Sequence, residues 1–117
     1  FVWNMSKKGG ASGRWSGDGF VYVMRDGDQV KIGCSRNPED RLSQIQKDRP
    51  NTTLVQKVKA KEMNGAETAA QKAVQKYLKM QKVTANATDW FNIPKDVSID
   101  QIVQTVIDAV KDHNKDQ

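Results

Sequence analysis

Apolar positions along this chain fall into two kinds of pattern, one with a strand period and one with a helix period. Phe20-Val21-Tyr22-Val23-Met24 is a short run rich in β-branched and aromatic residues, and Gln29 to Gly33 answers it after Arg25-Asp26-Gly27-Asp28. Asp26-Gly27 predicts a hairpin, because glycine accepts the positive φ that tight turns require. Alternation puts Phe20, Tyr22 and Met24 on one face and Val21 and Val23 on the other. Farther on, Ala66, Ala69, Ala70, Ala73, Val74, Tyr77 and Leu78 recur at helical spacing and predict a helix over 64–80. Ile99, Ile102, Val103, Val106, Ile107 and Val110 predict a last helix, opened by a Ser98/Gln101 capping box.

The remaining signals fill in the order. Asn37-Pro38-Glu39-Asp40 has the form of a helix start, with Asn37 as cap, Pro38 in the first turn and two acids at the positive end. That helix is expected to run to about Lys47, with Arg41 bordering its apolar stripe. Arg49-Pro50-Asn51 breaks the chain, and residues 52–61 alternate loosely enough to suggest a third strand. Residues 83–89 read as a polar loop, Trp90 and Phe91 as plugs of the core, and Asn92 as a turn residue. The expected fold is α/β of the α+β kind: a small three-stranded antiparallel sheet flanked by helices, with an extra helix at the C-terminal end. Residues 1–18 read as a basic, glycine-rich arm, 19–93 as the domain, 94–112 as the last helix and 113–117 as a polar tail. Within the arm, Trp15 beside Arg14 is expected to cover a sheet edge or to stack on a base.

Composition adds a partner class. The 117 residues carry a formal charge of +5, which favours polyanions whatever the fold. No apolar run approaches the roughly 20 residues of a membrane span, so a soluble, intracellular protein without a membrane partner is expected. Cys34 is the single cysteine, which rules out an internal disulfide and points to a small buried filler in place of a nucleophile.

Val21-Tyr22-Val23, Lys31-Ile32-Gly33 and the following Arg41 resemble the signature of the GIY-YIG nuclease superfamily. The branch most similar is the phage and eukaryotic one that reads Lys-Ile-Gly in the second half and carries an acidic-Trp-Phe box, here Asp89-Trp90-Phe91. The resemblance covers Gly19 to Ile93 and implies metal-dependent hydrolysis of phosphodiester bonds in DNA, with RNA left open. It implies Tyr22 as general base, Lys31 as the cation that lowers the tyrosine pKa, and Arg41 as the fork that holds the phosphate, with Ile32 and Gly33 as motif support. It also implies Mg²⁺ or Mn²⁺ on a glutamate of the long helix.

That glutamate is ambiguous. Spacing from Trp90 puts Gln71 at the acidic position and Gln75 at a histidine position, whereas chemistry and helical phase favour Glu67, about 20° around the helix from Val74. A competing role for Glu67 is to complete a capping box with Asn64. Ile45 stands where some active relatives carry histidine or tyrosine. Arg36, Lys72 and Lys76 are the expected nucleic-acid contacts. Three readings follow: an endonuclease using Tyr22, Lys31, Arg41 and Glu67, an inactive nucleic-acid-binding module on the same fold, and a partner or homodimer interface on the last helix.

Overall fold

A computed structural model describes residues 17–85 and 88–117; the arm before Gly17, with Arg14 and Trp15, lies outside them. The hairpin forms as the turn chemistry requires. β1 (Gly19–Asp26) and β2 (Gln29–Ser35) pair antiparallel in the register Tyr22 to Gly33 and Met24 to Lys31, around Gly27 at φ +60°. α1 (Pro38–Gln46) starts at Asn37, whose side chain accepts from the Asp40 amide. β3 (Thr53–Ala60) then pairs with the far side of β1, with a register shift between Val23 and Met24.

α2 spans Met63–Tyr77, shorter at its C-terminal end than its apolar period suggests, because Lys79 takes a left-handed conformation at φ +57°. Its start corrects the expected Asn64/Glu67 capping box. The N-cap is Glu62, itself left-handed, and its side chain makes no cap. Residues from before the hairpin take that place: the Gly17 carbonyl accepts from the Met63 amide at 2.7 Å, and Asp18 Oδ1 accepts from the Glu62 amide at 3.3 Å. Glu67 is thereby released from any capping duty.

The sheet has five strands where three are expected. β4 (Lys82–Ala85) and β5 (Thr88–Asn92) form a second hairpin from the stretch read as a polar loop, and the order across the sheet is β3-β1-β2-β5-β4, all antiparallel. Both strands are short and polar on their exposed face, so they show no alternation until β5 docks Trp90 and Phe91 on opposite sides of the sheet. Asn92 accordingly closes a strand, with its side-chain oxygen held by Gln29 at 2.9 Å. α3 (Ile99–Lys115) carries the Ser98/Gln101 capping box and runs on into the stretch read as a tail. There His113 packs against Gly65, and its Nε2 lies 3.0 Å from the Lys61 carbonyl oxygen.

One sheet face, with Val21, Val23, Val30, Ile32 and Phe91, is covered by the apolar stripes of α2 and α3. The other face carries Tyr22, Met24 and Trp90 under Ile45 and Leu42 of α1. No helix among the described residues is long and apolar enough to cross a membrane.

Candidate functional site

The pairing of β2 with β5 covers only Gln29 and Val30. Past Val30 the two strands part, and the outer edge of β2 is left to side chains of α2. Gln71 Nε2 donates to the Ile32 carbonyl at 2.8 Å, and one turn earlier the Glu67 carboxylate lies near Cys34, whose backbone N–H and thiol help to hold its pKa down while the thiol itself donates to Asn64 Oδ1 at 3.4 Å. Residues four apart on a helix lie one above the other, so this pair matches the two-residue repeat of the strand edge. The two competing positions for the acid therefore stand side by side, with different partners. Gln71 is tied to backbone, and its Oε1 is 3.5 Å from Lys82 Nζ. Glu67 faces the Tyr22 and Lys31 side, where both groups feel its charge.

From the opposite sheet face come Tyr22, Lys31 and Arg41. Tyr22 is 2% exposed, and its hydroxyl rests over Gly33; a Cβ at that glycine would overlap it. Gly33 is needed for this approach. The Arg41 guanidinium lies near enough to the Tyr22 hydroxyl to oppose the rise of its pKa, and through Nη1 it donates to Gln44 Oε1 at 2.9 Å. Lys31 Nζ reaches toward the Asp89 carbonyl at 3.5 Å. Thus Tyr22, Lys31, Arg41 and Glu67, drawn from two strands and two helices, meet around one open edge.

Burial raises the Tyr22 pKa above that of an ordinary phenol, and the cation working against this is Arg41, by hydrogen bond and by charge. Lys31 interacts with Glu67, while burial and the nearby Arg41 lower its own pKa. Burial likewise raises the Glu67 pKa, opposed first by Lys31. Cys34 is pushed up to about 12 by burial and the Glu67 charge, so its thiol stays protonated at neutral pH.

Arg41 and Gln44 line two neighbouring cavities. One of about 500 Å³ also has Cys34, Ser35, Arg36 and Met63 in its walls, and one of about 220 Å³ has Ile45, Arg49, Thr88 and Trp90. Arg36 is therefore next to the site. Lys72 and Lys76 are not: they line a separate groove between α2 and α3. Ile45 is buried in the small core and offers no polar group. Two residues outside the expected set contribute. Gln44 holds Arg41, a relation readable as an i, i+3 pair on a helix, and Arg49 lies 3.9 Å over the Trp90 ring while paired with Asp26 at 3.3 Å.

Among the described residues no three His, Cys, Asp or Glu side chains converge on one point. A single carboxylate still suits a hard cation such as Mg²⁺, which keeps several of its waters and commonly takes one or two protein carboxylates. Glu67 has oxygen lone pairs beyond those held by Cys34, so it fits that use.

No curated protein and no solved structure matches the chain. A family match does cover most of it: residues 19–111 fit the T5orf172 domain, a span that takes in the hairpin, the site helix and most of α3. The chain belongs to the T5orf172 domain family, a domain found in phage and eukaryotic proteins and related to nuclease-type folds.

Proposed function

We infer that this domain hydrolyses phosphodiester bonds in DNA, as an endonuclease of the GIY-YIG kind. The observation carrying this reading is the Tyr22–Arg41 hydroxyl-guanidinium pair facing the Glu67 carboxylate across the open edge of β2. A basic chain and a family related to nuclease-type folds support it.

Each residue has a role that its surroundings allow. Arg41 presents a planar fork beside two cavities, and a phosphate entering there would replace Gln44 as its acceptor. Tyr22 Oη sits against that fork and takes the proton of the attacking water. Glu67 would hold Mg²⁺ or Mn²⁺, which when bound supplies a Lewis acid to the leaving oxygen. Lys31 keeps Glu67 ionised and adds positive charge beside the phosphate. The test is nicking of supercoiled plasmid with Mg²⁺ or Mn²⁺. Nicking by the wild type that Tyr22→Phe and Arg41→Ala each reduce supports the reading; equal nicking by all three defeats it.

A second reading, a nucleic-acid-binding module without catalysis, is favoured by Gln71 being bound to the Ile32 carbonyl and by Ile45 being buried. Both positions then lack a proton-transfer group. Binding that weakens steeply with salt, with no metal-dependent nicking, would select this alternative.

A further inference from the structure

Behind the sheet, α2 and α3 enclose a groove of about 800 Å³ that shares no lining residue with the two cavities around Arg41. Its floor is made of Ala69, Ala73 and Ala109, and its walls have opposite charge. The α2 wall presents Lys72 and Lys76; the α3 wall presents Asp108, Asp112 and Asp116, all exposed. Among the described residues no ion pair crosses between the walls. Tyr77 stands at the rim 67% exposed, one of the large hydrophobic side chains this fold leaves in water.

Two features say what covers this face. The acids occupy the C-terminal half of α3, with Asp116 at its C-cap, where the helix dipole disfavours negative charge. They also keep phosphates away from the neighbouring lysines. The helices run antiparallel, since the start of α2 at Gly65 touches the end of α3 at His113. The basic and acidic walls are therefore two roughly parallel rails. A copy related by a two-fold axis along the groove sets its acidic rail over the first copy's basic rail, and the reverse, as an isologous interface requires.

We propose that the α2–α3 groove is the interface of a homodimer, with Lys72 and Lys76 of each chain facing Asp108 and Asp112 of the other. The proposal is independent of the nuclease reading, because both Arg41 sites remain outside the interface.

Sedimentation equilibrium of the full chain at low salt, at high micromolar protein, tests it. The expected result is a mass twice 13.1 kDa that falls toward one chain as salt rises. Lys72→Glu with Lys76→Glu, and separately Asp108→Lys with Asp112→Lys, should each weaken association at least about tenfold. Mixing the two reversed proteins should restore a one-to-one dimer. Tyr77→Ser, which changes no charge, should weaken association less while helix content by circular dichroism stays constant. A monomeric wild type at every concentration overturns the proposal, and so do reversals that leave the mass unchanged. Loss of DNA binding in Lys72→Glu with Lys76→Glu, without a change in mass, would assign the lysines to phosphate instead and also overturn it.

Discussion

The two faces of the sheet are built for different work. Behind it, Val21, Val23, Val30, Ile32 and Phe91 meet Ala66, Ala70, Val74, Ile102, Val106 and Val110 in a core with no polar side chain. In front, a smaller cluster joins Tyr22 and Trp90 to Ile45, and cations crowd its rim: Lys31, Arg41 and Arg49. Dry packing holds the backbone still, so that the wet face can keep charges together that would otherwise repel. The sheet thus keeps most of the apolar core behind it and most of the charge in front, with Glu67 of α2 as the one site residue supplied by a rear helix.

Ile102→Ala should break the rear face, costing about 2–5 kcal/mol in denaturant unfolding while the folded fraction keeps its activity. A comparable loss of activity per folded molecule would show that the faces are not separate. Cys34 lies on the boundary. With a pKa near 12 against an ordinary 9.0, it holds about a thousandfold less thiolate at neutral pH and should alkylate at least about tenfold more slowly than an unperturbed thiol, and normally once unfolded. Iodoacetamide labelling followed by mass spectrometry reads this directly.

On the front face, Tyr22→Phe and Arg41→Ala should each lower nicking by at least about a hundredfold, with a far smaller effect on the rear core. Gln71→Glu removes the donor to the Ile32 carbonyl and sets a carboxylate against it, a loss of about 1–3 kcal/mol in thermal or denaturant unfolding. The smallest effect per step is that of pH. An acid whose pKa is raised keeps its proton longer, so the Tyr22 phenolate grows scarcer at pH 7 and the rate should climb about tenfold per pH unit through neutrality. Lys31, with its pKa lowered, sheds charge earlier than an ordinary lysine and should end that climb on the alkaline side. A flat profile from pH 7 to pH 9, in the same nicking assay, would remove Tyr22 as the base.

What the sequence disclosed follows from how local each signal is. The first hairpin, the Asn37 cap and the Ser98/Gln101 box depend on residues a few positions apart, and all three form. Alternation also placed Tyr22 opposite Val21 and Val23 correctly. The second hairpin was hidden because Lys82, Thr84, Thr88 and Asp89 have no apolar alternation; β4 and β5 gain strand structure by pairing with each other and with β2. The start of α2 was hidden because its caps, Gly17 and Asp18, come from more than forty residues earlier. Motif spacing picked out Tyr22, Lys31 and Arg41, helical phase favoured Glu67, and the fold brings these four around one edge. Which cation touches the tyrosine was not legible, since period-two reasoning assigns faces and says nothing about which side chains reach around an edge.

That edge has one more consequence. A strand with unpaired backbone groups is an invitation to a foreign strand, and β2 beyond Val30 would template one if left bare. Glu67 and Gln71 act as a stopper, Gln71 by donating to the Ile32 carbonyl and Glu67 by setting its carboxylate near the Cys34 amide. A cation that draws Glu67 away loosens half of that stopper. Hydrogen exchange at the Cys34 amide should then speed up as Mn²⁺ is added while the amides of α3 stay protected, making a backbone proton the reporter of an occupied site.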